Sequence, residues 1–560
     1  MGMSAEIERP FEGSGEDEIQ QLHSLAYLVV SRQPHPRNVL EVAVHLEDSG
    51  YGNEAAQALG FRDVFDLAEA VWERIPLYQT PEEIEKPSPI GWFRKAAEQY
   101  FRGVGYTAPW MMSVLMLFIT RVALWSSLSA SQEVATAVSL AFFTATVCAG
   151  AVSQVFAQRA LFYLGQNNWI LFRWISTRAI VHGSAVSALV IALVFRFAIA
   201  PAYGPAYGNL FLEYALAIYV FQIALAPLYL LRRILGLAVT TAVALVITWF
   251  AIWNIERVNS GAYFGQAVQQ AQILGLVIAG AGALIGVYSY AVLRSRRQLR
   301  RLLPEEIGDG PHDRDVRRAP VRVQIPRFLP VWRQLWPYAL YGTGYFSMLF
   351  VDRIVAGVHF GALQGVHHYV YPPTYELTTD LATLELFPMM GFVFYFMTEL
   401  SDRFLGWMRR YRVTEAEGFH RTLLRFFITR VVLLSIIGIA VGFAAPPVLL
   451  HLPATLIAPI LVAGPPYQWA LHLAALTYGI LPVGLFASQF LFFWGVRFAS
   501  ALAVWAGTLF GGLVAAVAVN GSDAYAVYGM VTAIFVFSAV TVIVGIRTAR
   551  RGDVQLYASY

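Results

Sequence analysis

Cysteine is nearly absent from this chain: Cys148 is the only one in 560 residues, and it lies in an apolar run. Neither a disulfide framework nor a cysteine-based metal site is therefore available. Lysine is almost as scarce, with Lys86 and Lys95 the only two. Nearly every positive charge is thus a guanidinium, the better partner for phosphate and carboxylate. Charged residues of both signs make up only 14% of the chain against 57% hydrophobic, and the mean hydropathy is +0.54. That balance excludes an ordinary soluble domain and points to a polytopic membrane protein. The sequence also contains no lysine-bearing phosphate loop, no HExxH and no nucleophile elbow, which argues against ATP-driven work by this chain alone and against hydrolase chemistry. No cofactor, metal site or enzymatic activity is expected. No basic n-region precedes an apolar core, because Met1 leads into EIERPFEGSGEDE, so insertion is expected to use an internal span.

Charge divides the chain into two unlike parts. Residues 1–90 hold 17 Asp/Glu against 6 Lys/Arg, while the whole chain is +4, so the remainder is strongly basic. The acidic part reads as a small helical domain with Gly-containing turns. Asp63 is placed to N-cap a helix that buries Phe65, Leu67, Val71, Trp72 and Ile75. Its helix-turn-helix outline does not make it a DNA reader, because phosphate binding needs a basic face; no nucleic-acid partner is expected. A docking or regulatory module fits better. A Pro-rich hinge follows at 76–92, and residues 91–104 read as a linker and interfacial helix.

From residue 105 onward, about twelve stretches are long and apolar enough to cross a bilayer: 105–128, 134–157, 176–200, 208–231, 234–254, 267–293, 335–358, 379–398, 424–446, 467–494, 497–519 and 524–546. Arginines cluster at alternate connections, with Arg257 the exception, while the connections between are almost free of them. By the positive-inside rule both termini lie in the cytoplasm. The long basic linker at 294–334 separates 105–293 from 335–546, giving two six-helix bundles, with 547–560 as a cytoplasmic tail. GVGY at 103–106 and GTGY at 342–345 echo each other near the start of each half. The fold class expected is therefore an all-α polytopic membrane protein with a small helical cytoplasmic N-terminal domain.

Charges at membrane depth are costly unless paired or facing water, so they are the functional candidates. Arg121 lies in the first span, Arg196 near the outer end of the third and Glu213 near the outer end of the fourth. Asp352, Arg353, Asp380 and Glu385 follow in the seventh and eighth, with Glu376 at their outer mouth. Together they are expected to line the outward half of a cavity between the bundles. Such mixed-sign lining suits a polar or anionic, hydroxyl-rich substrate. The competing reading has the arginines snorkelling to the interface and Asp352–Arg353 as a structural pair. Gln154, Gln158, Gln222 and Gln489 either bond a sugar or bridge helices. His367–His368 lacks a third ligand and reads as a solvated loop.

YELTTDLATLELFP (375–388), VDRIVAG (351–357) and FMTELSDRF (396–404) resemble the inner-membrane transporter of the Pel exopolysaccharide system. That family belongs to the multidrug/oligosaccharidyl-lipid/polysaccharide flippase (MOP) superfamily. Two features depart from it: the acidic head, and Glu376 where family members show an aspartate. The resemblance implies twelve helices in two bundles around a central cavity. It implies a role in biofilm polysaccharide biosynthesis, with outward transport of a polysaccharide or lipid-linked glycan across the cytoplasmic membrane. The implied partners are that substrate, membrane lipids, a cytoplasmic glycosyltransferase and other membrane subunits of an export complex. The alternatives are a drug or metabolite exporter of the same superfamily, a membrane-embedded glycosyltransferase or ligase, and a non-transporting scaffold.

Overall fold

The computed structural model describes residues 15–32, 36, 39–75, 89–127, 130–258, 264–302, 328–410 and 416–551. Most of the hinge expected at 76–92, most of the basic linker and the tail beyond 551 lie outside them. The chain forms two compact units, Met1–Lys95 and Ala96–Tyr560.

Among its described residues the first unit holds α1 (Gly15–Arg32), α2 (Val39–Asp48), α3 (Asn53–Ala58), α4 (Val64–Trp72) and the first residues of the helix that continues into the second unit. Leu22, Leu25, Val29, Val42, Leu46, Leu67, Val71 and Ile75 close a small core between them. Asp63 caps α4 as expected, accepting from the backbone N–H groups of Asp66 at 2.9 Å and Phe65 at 3.0 Å. Phe65 does not join that core: it is 52% exposed, because the second position of α4 faces outward while Val64, Leu67, Ala68 and Val71 face in.

The second unit is wholly helical apart from one isolated bridge between Val122 and Ser127, among the described residues. In chain order it contains α5 (Pro89–Gly105, of which the part from Ala96 belongs here), α6 (Ala108–Thr120), α7 (Gln132–Gly165), α8 (Trp169–Val194), α9 (Ala200–Leu230), α10 (Ile234–Val258) and α11 (Phe264–Leu302). Its second half contains α12 (Phe328–Leu363), α13 (Pro373–Thr383), α14 (Leu386–Arg410), α15 (Ala416–Leu449), α16 (Ala454–Ala463), α17 (Pro465–Phe493), α18 (Arg497–Ala518) and α19 (Val527–Ala549). Among the described residues ten helical stretches are long and apolar enough to cross a bilayer, and the α5–α6 pair, bent by 63°, passes the same test when its two helices are taken together. The stretch 169–230 is 62 residues long and holds two spans, α8 and α9; at 1.5 Å per residue it would otherwise be about three bilayer cores long.

Two spans and one connection differ from the hydropathy reading, each for a local reason. The first ends at Thr120 and not 128, because Arg121 takes a left-handed backbone (φ 62°) as the C-cap of α6. The connection between spans three and four stays helical through a π-helical turn at Phe195–Ile199 and breaks only at Gly204 (φ 77°). The eighth span is two helices, α13 and α14, separated by Leu384 and Glu385.

Glycines set where the halves meet. A Cβ on Gly103 of α5 would stand 2.8 Å from Gly391 Cα and 2.6 Å from Phe394 Cβ, both on α14. On the other side α7 and α12 cross so closely that a Cβ on Gly342 would strike the backbone of Gly150. The first-span element thus packs on the eighth span and the seventh on the second. The GVGY and GTGY echo marks these two crossings.

The Asp63 cap gives the head a pH dependence. The N–H of Asp66, then Arg62 and the N–H of Phe65, hold its carboxyl below the ordinary aspartate value. A lowered folded-state value means the cap's contribution is complete above about pH 4 and fades as pH falls through the folded value. Asp63→Ala is expected to lower the melting temperature of the full-length protein's head transition at pH 7, and the difference from wild type should shrink towards pH 2. A difference that grows on acidification would contradict this reading.

Candidate functional site

Asp352 and Arg353 are consecutive on α12, so their side chains point about 100° apart around the helix. Both are buried, at 0% and 7% exposure. Glu376 and Asp380, four residues apart on α13, share one face of that helix. The guanidinium joins the two helices: Arg353 Nη1 donates to Glu376 Oε2 at 2.6 Å and to Asp380 Oδ1 at 2.7 Å. Tyr369 Oη donates to the other Glu376 oxygen at 3.3 Å, and Tyr375 Oη to Asp352 Oδ2 at 2.6 Å. One cation thus faces two carboxylates, and only Asp380 is substantially open, with 44% of its side chain exposed.

That cluster forms part of the wall of a cavity of ≈ 310 Å³ between the two halves. Arg353, Glu376 and Asp380 supply its charges. The rest is mostly ring and hydroxyl: Trp110, Trp125 and Phe142 from the first half face Tyr345, Phe350 and Tyr371 from the second, with Ser113, Ser126, Ser139 and Thr383 between. Trp125 stacks on Phe142 and Phe143 on Phe350, so the aromatic wall is continuous across the interface.

The segment linking α12 to α13 fastens the halves at one end of this cavity. Tyr203 Oη at the start of α9 donates to the Tyr369 carbonyl at 2.5 Å, and its ring meets His368 edge-on at 4.6 Å. The Tyr371 N–H donates to Thr136 Oγ1 of α7 at 3.0 Å. At the other end Arg159 Nη2 donates to Gln334 Oε1 at 2.9 Å. The His367–His368 stretch is therefore not simply a solvated loop; Tyr369 and Val370 beside it are buried.

Several expected site residues lie elsewhere. Arg121, Arg196 and Glu213 are exposed and do not line the cavity. Arg121 is displaced by the early end of α6, and Arg196 lies near the ring of Phe197, its guanidinium carbon 6.0 Å from the ring centroid. Glu376 is not at a solvated mouth but buried with Arg353, the third residue after α13 begins at Pro373. Asp352 and Glu385 are buried but not among the residues lining the cavity. Gln222 bridges helices, its amide donating to Thr146 Oγ1 at 2.8 Å. Glu399, in the FMTELSDRF stretch, ties α14 to α15 through Arg430 at 2.7 and 2.8 Å. Among the described residues no three His, Cys, Asp or Glu side chains converge to hold a metal.

No protein-family model matches the sequence, and no curated protein matches it. Solved structures do. The fold is similar to that of a MATE protein in its straight conformation, with a TM-score of 0.51, 13% identity, and 81% of this chain and 95% of the other covered. It is similar to a multidrug-resistance MATE transporter of the MOP superfamily in its outward-facing conformation, with a TM-score of 0.50, 14% identity, and 81% and 94% covered. A MOP superfamily transporter from Pyrococcus furiosus Vc1, described as having a binding pocket of reversed polarity, matches with a TM-score of 0.51, 12% identity, and 81% and 94% covered. The chain is thus an all-helical, multi-pass membrane protein with a MATE-like fold.

Breaking the Arg353 cluster has a defined cost. Arg353→Ala leaves Glu376 buried without its cation and is expected to cost about 3–5 kcal/mol of stability. Adding Glu376→Gln and Asp380→Asn to it should recover part of that loss, measured by thermal melting in detergent. A triple variant no more stable than Arg353→Ala would contradict the pairing.

Proposed function

We propose that the chain is an alternating-access exporter, moving a polysaccharide or lipid-linked glycan outward across the cytoplasmic membrane with both termini in the cytoplasm. The observation that carries the reading is the cavity between the halves, where aromatic walls and hydroxyls surround one half-open carboxylate, Asp380, held by Arg353. Aromatic faces carry negative quadrupoles that meet the C–H faces of sugar rings, and the hydroxyls and Asp380 offer hydrogen bonds to sugar hydroxyls. At ≈ 310 Å³ the cavity takes a short glycan segment, not a folded polymer.

One part of the sequence expectation changes. With two carboxylates against a single guanidinium, the wall does not suit an anionic substrate. It suits a neutral, hydroxyl-rich one. The same excess of carboxylate beside aromatic rings favours a second reading, export of an organic cation, through cation–π attraction. The Pel-like motifs at 351–357 and 375–388 surround this charged cluster, which supports the glycan. A glycosyltransferase supplying the substrate and further membrane subunits would then be its partners, with the acidic head as their docking surface.

Asp380→Asn keeps the shape and removes the charge. Glycan export is expected to fall at least about tenfold, the effect of losing one charged hydrogen bond of roughly 1.5–3 kcal/mol, with the protein still in the membrane. Extracellular glycan quantified against immunoblotted membrane protein tests this. Unchanged glycan together with lost resistance to cationic compounds would transfer the assignment to the second reading.

A further inference from the structure

Glu385 sits between α13 and α14, in the two-residue break of the eighth span. It is 4% exposed, and among the described residues no donor reaches either of its carboxyl oxygens. The side chain is set in a niche made of glycine. A Cβ on Gly479 of α17 would stand 2.7 Å from Glu385 Oε1, and one on Gly442 of α15 3.3 Å from it. Gly438 and Gly479 close the niche, with α15 and α17 crossing backbone to backbone there. Two positions without side chains, Gly442 and Gly479, thus make room for one carboxyl, and Gly438 lets the two helices cross beside it.

The charged and titratable groups of the surrounding helices are engaged elsewhere. On α13, Glu376 and Asp380 both accept from Arg353. Tyr478 of α17, the neighbour of Gly479, faces Arg353 and Thr383. His472 of α17 bonds to the Gln468 carbonyl, about 10 Å along the helix. The Glu399–Arg430 pair of α14 and α15 lies roughly 20 Å further along α14. A carboxylate placed here would lose its hydration and gain no partner, so the form that fits is the neutral acid. Leu381, Thr383 and Leu386, beside Glu385 in sequence, line the central cavity. The residues that flank Glu385 thus reach the cavity, while its own side chain is turned away from it into the niche.

We propose that Glu385 is a proton-binding switch: as a neutral acid it plugs the Gly438–Gly442–Gly479 niche, and on giving its proton to water in the cavity it leaves the niche and opens the break at 384–385. The step releases one proton and forms one solvated carboxylate, with no other bond changed. Protonation then sets whether α13, which carries Glu376 and Asp380, packs against α15 and α17. Its use in the transport cycle rests on the reading above; its test does not.

The test uses the full-length protein in lipid nanodiscs. Infrared spectra at neutral pH are expected to show a protonated-carboxyl C=O band that Glu385→Gln removes. The second readout is maleimide labelling of Thr383→Cys in a Cys148→Ser background as a function of pH. Because maleimide attacks the thiolate, each rate is divided by that of free glutathione at the same pH; the ratio is expected to rise with pH by up to about tenfold per unit, the slope of one proton, and to be flat once Glu385→Gln is added. Identical infrared spectra for the two proteins overturn the proposal. So does a labelling ratio that does not change with pH when Glu385 is intact, which decides the matter even if Glu385→Gln does not accumulate. Absence of glycan export by the unmutated protein, with both signals present, would count against the transport reading alone.

Discussion

The structure turns on a single guanidinium. Arg353 lies roughly 15 Å inside α12 from its end at Leu363, a depth at which an unpaired charge is untenable. Glu376 and Asp380 make it tenable, and in doing so they fix α13 against α12. The same contact orients Tyr369, whose hydroxyl reaches Glu376 while its carbonyl takes the hydrogen bond from Tyr203 in the other half. The charged cluster, the cavity wall and the fastening between halves are therefore one connected network. A ligand that competed for Asp380 would perturb all three.

Much of this was legible in the sequence. Apolar runs about as long as the bilayer is thick, and a charge pattern that alternates between connections, leave little freedom in the number of spans. The cost of burying charge singled out Asp352, Arg353, Asp380 and Glu385 without any knowledge of contacts. Even the four-residue echo GVGY and GTGY had content, since Gly103 and Gly342 are the close-approach points of the two inter-half crossings.

What was not legible depended on local backbone or on which way a side chain turns. Arg121 looked deep because hydropathy continues past it, but its left-handed backbone ends α6 there. Arg196 and Glu213 sit on spans whose rotation no apolar pattern fixes, because these helices are hydrophobic all round. Glu376 was placed at a solvated mouth because nothing in the sequence says that Arg353 and Tyr369 reach it. The aromatic wall was invisible for a similar reason: in a chain with 14% aromatic residues, the rings that meet across a cavity look like any others. Tyr203 and Tyr371 carried no signal, and no pattern on α15 or α17 marked the niche around Glu385.

The central claim is that this cavity carries glycan between the two sides of a membrane. Its most direct test is reconstitution of the purified chain into liposomes with a fluorescent lipid-linked oligosaccharide, following the loss of label to a membrane-impermeant quencher or glycosidase. The account predicts translocation well above that of protein-free liposomes, and none when Tyr203→Cys and His368→Cys are crosslinked in the Cys148→Ser background. Translocation at the protein-free rate, in liposomes that still expel a cationic dye, would contradict it.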